Sequence, residues 1–134
     1  MTQVPNSVRV FLEEVRFAVI ATTRRDGSAH QAALWYELRG DTIVMNTGAR
    51  SRKVRNLQRD PRASVTVVDS TQARHVTLEG TVAFDESHVL EDLTALASRY
   101  VSPEAGPAIA ANIAKIPHVT LLLSVDRVKT FGNI

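Results

Sequence analysis

Short apolar runs of strand length, separated by tight-turn residues instead of long amphipathic stretches, are what most limits the fold of this chain. Residues 17–23 are apolar and β-branched and run into Arg25-Asp26-Gly27-Ser28, where Asp-Gly tolerates the positive φ that a tight hairpin needs. Residues 30–38 follow as a second strand. Alternation there puts Gln31, Ala33, Trp35 and Glu37 on one face and Ala32, Leu34, Tyr36 and Leu38 on the other, so both faces are partly apolar. A strand apolar on both sides is covered on both sides, which points to a ligand or a partner subunit against it. Arg39-Gly40-Asp41 makes the next turn, and residues 42–47 form a third strand with Ile43 and Met45 in phase. Residues 63–68 and 75–84 read as two more strands, antiparallel to each other. The last strand carries Val119, Leu121, Leu123 and Val125 in alternation, loses phase at Asp126-Arg127 and regains it at Val128 and Phe131, as a β-bulge requires.

Helical spacing is confined to four places. Val8, Phe11, Leu12 and Val15 share a face behind Pro5-Asn6-Ser7; residues 50–59 bury Val54 and Leu57 and stop at Asp60-Pro61, because the residue before proline avoids the α region. Residues 85–100 place Val89, Leu93, Leu96 and Tyr100 on one face with Ser87 as the capping residue, and a looser Ala-rich piece follows Pro103. Six strands, the first three joined by tight turns and none in a βαβ rhythm, predict one mainly β domain over residues 1–134, a small antiparallel barrel with a few helices, and exclude a Rossmann domain. A chain of 134 residues buries roughly two-thirds of its unfolded surface, enough for one core without disulfides, and cysteine is absent.

Several function classes fall away. His30, His75, His88 and His118 lie on different elements without metal-ligand spacing, so no metal site is expected. There is no Gly-x-Ser-x-Gly elbow and no Ser-His-Asp order. No stretch approaches the roughly 18 apolar residues of a membrane span, and Arg9, Glu13 and Glu14 interrupt any signal-peptide core, so a cytoplasmic location is the expectation. The formal net charge is only +2, yet Arg50, Arg52, Lys53, Arg55, Arg59 and Arg62 stand within 13 residues that hold one acid, Asp60. This run leaves a strand end at Asn46-Thr47-Gly48 and enters a helix through Ser51. Backbone N–H groups at a helix start carry the positive end of the helix dipole, so a phosphate there is held by amides as well as side chains. Ser51 caps the helix or bonds a phosphate oxygen, Arg52 offers a bidentate fork, Lys53 adds a point charge and Thr47 a hydroxyl. Arg55, Arg59 and Arg62 lie farther from the helix start and read as a solvated face.

Ala21-Thr22-Thr23-Arg24-Arg25-Asp26-Gly27-Ser28, Ala33-Leu34-Trp35-Tyr36, Asn46-Thr47-Gly48 leading to Ser51-Arg52-Lys53-Val54-Arg55-Asn56-Leu57, and Asp60-Pro61-Arg62 together resemble, in that order, the pyridoxamine 5'-phosphate oxidase-like split-barrel superfamily. Within it the chain is most similar to the small oxidoreductases that use the deazaflavin coenzyme F420, and the similarity extends to Val128-Lys129-Thr130-Phe131-Gly132. The resemblance implies a six-stranded antiparallel split β-barrel of the FMN-binding type and a homodimer with coenzyme sites at its interface. It implies that Ser51, Arg52 and Lys53 hold the coenzyme phosphate with help from Thr47, that Gln31, Ala33 and Trp35 lie near the ring or its linker, and that Asn56 contacts the coenzyme or braces the loop. Arg74, His75 and Phe131 would come from the second subunit. The implied activity is hydride transfer from reduced F420 to an unsaturated small-molecule electron acceptor, with FMN as the alternative coenzyme; Arg50, Arg55 and Arg59 would suit the oligoglutamate tail that only F420 carries. Oxidation of pyridoxamine phosphate itself is disfavoured, because the chain is shorter than that enzyme and lacks matching C-terminal basic residues. Two rivals are a coenzyme carrier without turnover and a nucleic-acid-binding module along residues 50–62; the second lacks a recognisable fold signature and exposed stacking aromatics, and is disfavoured.

Overall fold

The computed structural model describes residues 2–134, in the order α1 (Asn6–Glu13), β1 (Ala18–Thr23), β2 (Ala29–Leu34), β3 (Tyr36–Arg39), β4 (Thr42–Gly48), α2 (Arg52–Arg59), β5 (Arg62–Asp69), β6 (Arg74–Asp85), α3 (Val89–Tyr100), α4 (Gly106–Ile113) and β7 (His118–Phe131). The strands form one antiparallel sheet in the order β2-β1-β5-β6-β7-β4-β3. There are seven strands among the described residues, not the expected six, because the run over residues 30–38 is two strands. β2 pairs with β1, Leu34 opposite Ala18, whereas β3 pairs with β4, Tyr36 opposite Met45. Trp35 alone separates them. Since one residue joins the two edge strands, the edges must lie side by side, and the sheet curls into an open barrel whose split is at Trp35.

Inside the curl, Ile20, Tyr36, Ile43, Met45, Leu78, Leu121 and Leu123 are fully buried; Leu12 of α1 and Leu57 of α2 complete the same core. Tyr36 is the largest of these side chains, and its hydroxyl donates to the Leu12 carbonyl at 2.7 Å; burial pushes its pKa up to about 12. Arg99 of α3 donates to the carbonyls of Leu12 (3.1 Å), Glu13 (3.0 Å) and Glu14 (3.2 Å). It thus satisfies carbonyls that the end of α1 leaves without helical donors, and also reaches Tyr36 O at 3.1 Å. These bonds fix α3 against the start of β3 and so set one wall of the split.

The expected bulge is present: Glu79 pairs with Arg127 but Gly80 with Val125, leaving Asp126 as the extra residue of β7. The helix caps differ from expectation. Ser87 does not cap α3, which starts at Val89 after His88; the Ser87 N–H instead donates to Asp85 Oδ1 at 2.7 Å in a local turn. No helix is long and apolar enough to cross a membrane among the described residues.

Candidate functional site

The split in the barrel opens into a cleft of about 360 Å³. Ala33, Leu34 and Trp35 form one side, Asn46, Thr47 and Gly48 of β4 the other, Lys53 of α2 stands at the rim, and Leu93 and Leu96 of α3 with Ile113 of α4 supply an apolar wall. Trp35 lies flat against Tyr100, ring centroids 5.0 Å apart and planes 13° from parallel, and Phe17 meets the same tyrosine at 6.0 Å. A larger hollow of about 640 Å³ lies on the outer sheet face among residues such as Ala21, Arg62, Glu79 and Arg127, and no residue of segment 47–53 lines it. The smaller cleft is therefore the one next to the concentrated charge.

The start of α2 has the properties of an anion site. Ser51 occupies the N-cap position, yet its hydroxyl makes no capping bond; Oγ is shielded from water and has no partner among the described residues. Lys53 is half-buried, its pKa is lowered by burial, and no carboxylate pairs with it among the described residues. An unpaired cation in such a place is costly, and an anion arriving there removes that cost. Arg50, Arg52 and Arg55 are exposed around the same helix turn. His30, opposite Thr22 on β2, feels this field: burial and the positive charges of Arg24, Lys53 and Arg52 hold its pKa below the ordinary value, and its Nδ1 is buried without a partner.

Other expected site residues fall in different places. Gln31 and Ala33 are exposed on the outer face of β2, as their alternation implies, although only Ala33 reaches the cleft. Asn56 is fully buried and donates from Nδ2 to Thr22 Oγ1 at 3.0 Å, which braces α2 against β1, while its Oδ1 has no partner among the described residues. Of the cations assigned to a solvated face, Arg59 is tied to the Thr23 carbonyl, and Arg62 forms a two-point pair with Asp60 at 2.8 and 3.0 Å. His75 and Phe131 are register partners on β6 and β7, with rings stacked 4.9 Å apart. Arg74 is not a free cation: it binds Asp69 Oδ2 from two nitrogens at 2.7 and 3.1 Å, and its guanidinium lies over Phe11.

Asp69 is a node of its own. It accepts from the Thr71 hydroxyl at 2.6 Å and from Arg74, and Arg16 lies 3.6 Å away. The Thr71 hydrogen bond, followed by that from Arg74, holds its carboxyl well below the ordinary 3.8. A carboxylate with a depressed folded pKa contributes stability that is fully present above the unfolded value and lost as pH falls through the folded one. Asp69→Asn should therefore lower the melting temperature at pH 7 and flatten its decline below pH of about 4. Identical acid limbs in thermal melts of both proteins would remove Asp69 from this role.

A curled antiparallel sheet with a cation-rich helix start at its split defines a small split-barrel protein. The sequence profile of the pyridoxamine 5'-phosphate oxidase family matches residues 4–132, and the chain belongs to that family. Among solved structures it is similar to a conserved hypothetical protein of Mycobacterium tuberculosis, with 27% identity and a TM-score of 0.79 over 97% of this chain and 86% of that one. It is also similar to an F420 reductase (21% identity, TM-score 0.77, covering 94% of this chain and 98% of that one). A pyridoxamine 5'-phosphate oxidase-related, FMN-binding protein of Nostoc punctiforme matches at 18% identity and a TM-score of 0.64, covering 87% of this chain and 74% of the other. No curated protein matches significantly.

Proposed function

We propose that the chain is an oxidoreductase that binds coenzyme F420 in the split of the barrel, with the coenzyme phosphate at Ser51, Arg52 and Lys53. The observation that carries this reading is the half-buried Lys53, without a carboxylate partner among the described residues, beside Ser51 Oγ at the start of α2, likewise unpaired among them. These groups match a phosphate, which accepts from backbone N–H, hydroxyl and ammonium donors together. The apolar wall of Leu93, Leu96 and Ile113 and the ring of Trp35 fit a flat aromatic body behind that phosphate. When bound and reduced, the deazaflavin supplies a hydride to an unsaturated small-molecule acceptor. The chain's own contribution is to hold and orient the coenzyme and to keep water from the reacting faces. FMN would use the same phosphate contacts. Arg50 and Arg55, exposed and without a carboxylate partner among the described residues, favour F420, whose acidic tail they would meet.

The same reading includes a homodimer. Extending the strand register by one residue beyond Ala18 sets Phe17 beside Trp35 and Val68, Val68 opposes His75, and His75 opposes Phe131. The result is an apolar and aromatic row across the outer sheet face, with Phe17 62% and Phe131 58% exposed. A row of this kind suits burial against a second copy.

The direct test is titration of the purified protein with F420 and, separately, with FMN. The fluorescence of Trp35, the only tryptophan, and coenzyme absorbance are followed together. Tighter binding of F420 is the expected result. Preference for FMN would move the protein to the flavin branch, and binding of neither would overturn the coenzyme reading.

A further inference from the structure

Asn46 lines the cleft, yet the phosphate site does not use it. It stands in β4 directly opposite Thr120 of β7, and its Nδ2 donates to Thr120 Oγ1 at 3.2 Å. Thr120 is fully buried and donates its own hydroxyl proton to Asp92 Oδ2 at 2.8 Å; Arg39 donates to the other oxygen of Asp92 at 3.0 Å. Because the threonine proton goes to a carboxylate, the hydroxyl presents only a lone pair to Asn46. The amide nitrogen must therefore face Thr120, which settles the orientation of the carboxamide. Its carbonyl oxygen is left without a donor among the described residues, in a place shielded from water. Buried acceptors are nearly always paired, so an orphan in a ligand-sized cleft points to a donor on the ligand.

We infer that Asn46 Oδ1 accepts the imide N–H of the coenzyme's pyrimidinedione edge, with Thr120, Asp92 and Arg39 as positioning residues that hold the amide in the accepting orientation. This rests on the coenzyme reading above. Flavin and deazaflavin rings share that edge, and an imide N–H entering an apolar cleft needs an acceptor there. A carboxamide suits it, since the second amide proton remains for a neighbouring ring carbonyl.

The test uses 5-deaza-FMN, which carries the phosphate and the shared ring edge, and its N3-methyl derivative, whose imide can no longer donate. Wild type should bind the unmethylated probe roughly tenfold more tightly. Asn46→Ala should bind it about 3- to 10-fold more weakly than wild type does and lose most of the discrimination. Thr120→Val should behave like Asn46→Ala, and Thr120→Ser, which keeps the hydroxyl, should restore discrimination; a purely structural role for Asn46 would not alter the preference between the probes. Equal binding of both probes by wild type, or full discrimination by Asn46→Ala, overturns the assignment and leaves the coenzyme site standing. Failure of wild type to bind either probe overturns both.

Discussion

Replacing Gly80 by alanine is expected to destabilise the protein by about 3–4 kcal/mol, at the upper end of overpacking effects, and to lower its melting temperature by roughly 10 °C. Gly80 stands where the register between β6 and β7 shifts around Asp126. A Cβ there would lie 2.9 Å from the Ser124 carbonyl carbon and closer still to its oxygen. The obstacle is backbone in the partner strand, so relief requires opening the longest ladder of the sheet and not the turning of one side chain. Gly48 is the control, since a Cβ added there meets nothing within 4 Å. Thermal or urea unfolding of the two alanine variants reads the difference. Equal losses would show that close approach of β7 at the bulge does not limit the side chain at position 80.

The bulge was legible because alternation in β7 slips visibly at Asp126-Arg127, and the Asp26-Gly27 turn because Gly27 adopts a positive φ of 89° that few other residues tolerate. The break at Trp35 was not. Ala32, Leu34 and Tyr36 continue to point inward across it, so the period of two persists. Alternation records which face a residue takes and carries nothing about which strand it pairs with, and only the partner changes at Trp35. The cation-rich start of α2 was legible because helix start, hydroxyl and charge are neighbours in the chain. The partners of Arg74 and Asn56 were not legible for the opposite reason: Asp69 and Thr22, which engage them, are chosen by tertiary packing. The orientation of the Asn46 amide was not legible, because Thr120, which gives it a direction, lies 74 residues away.

Lys53→Ala should weaken coenzyme binding by about 1.5–3 kcal/mol, the scale of a hydrogen bond to a charged group, which is roughly a 10- to 150-fold rise in Kd. The effect should be large because Lys53 is half-buried and has no acidic partner among the described residues, so its charge is neither screened by water as an exposed one is nor already neutralised. Burial lowers the pKa of Lys53 in the free protein, and a bound phosphate raises it again. Binding therefore takes up a proton at alkaline pH, and affinity should fall as pH rises through the free-protein value. That alkaline slope should be reduced in Lys53→Ala, whereas removal of an exposed cation such as Arg55 should leave it in place and reduce only the salt dependence. Titrations with F420 at a series of pH values separate the two. If Lys53→Ala binds as tightly as wild type, or keeps the full alkaline slope, the phosphate does not sit at this lysine, and the anion site must be rebuilt around Arg52 and the backbone N–H groups of α2 alone.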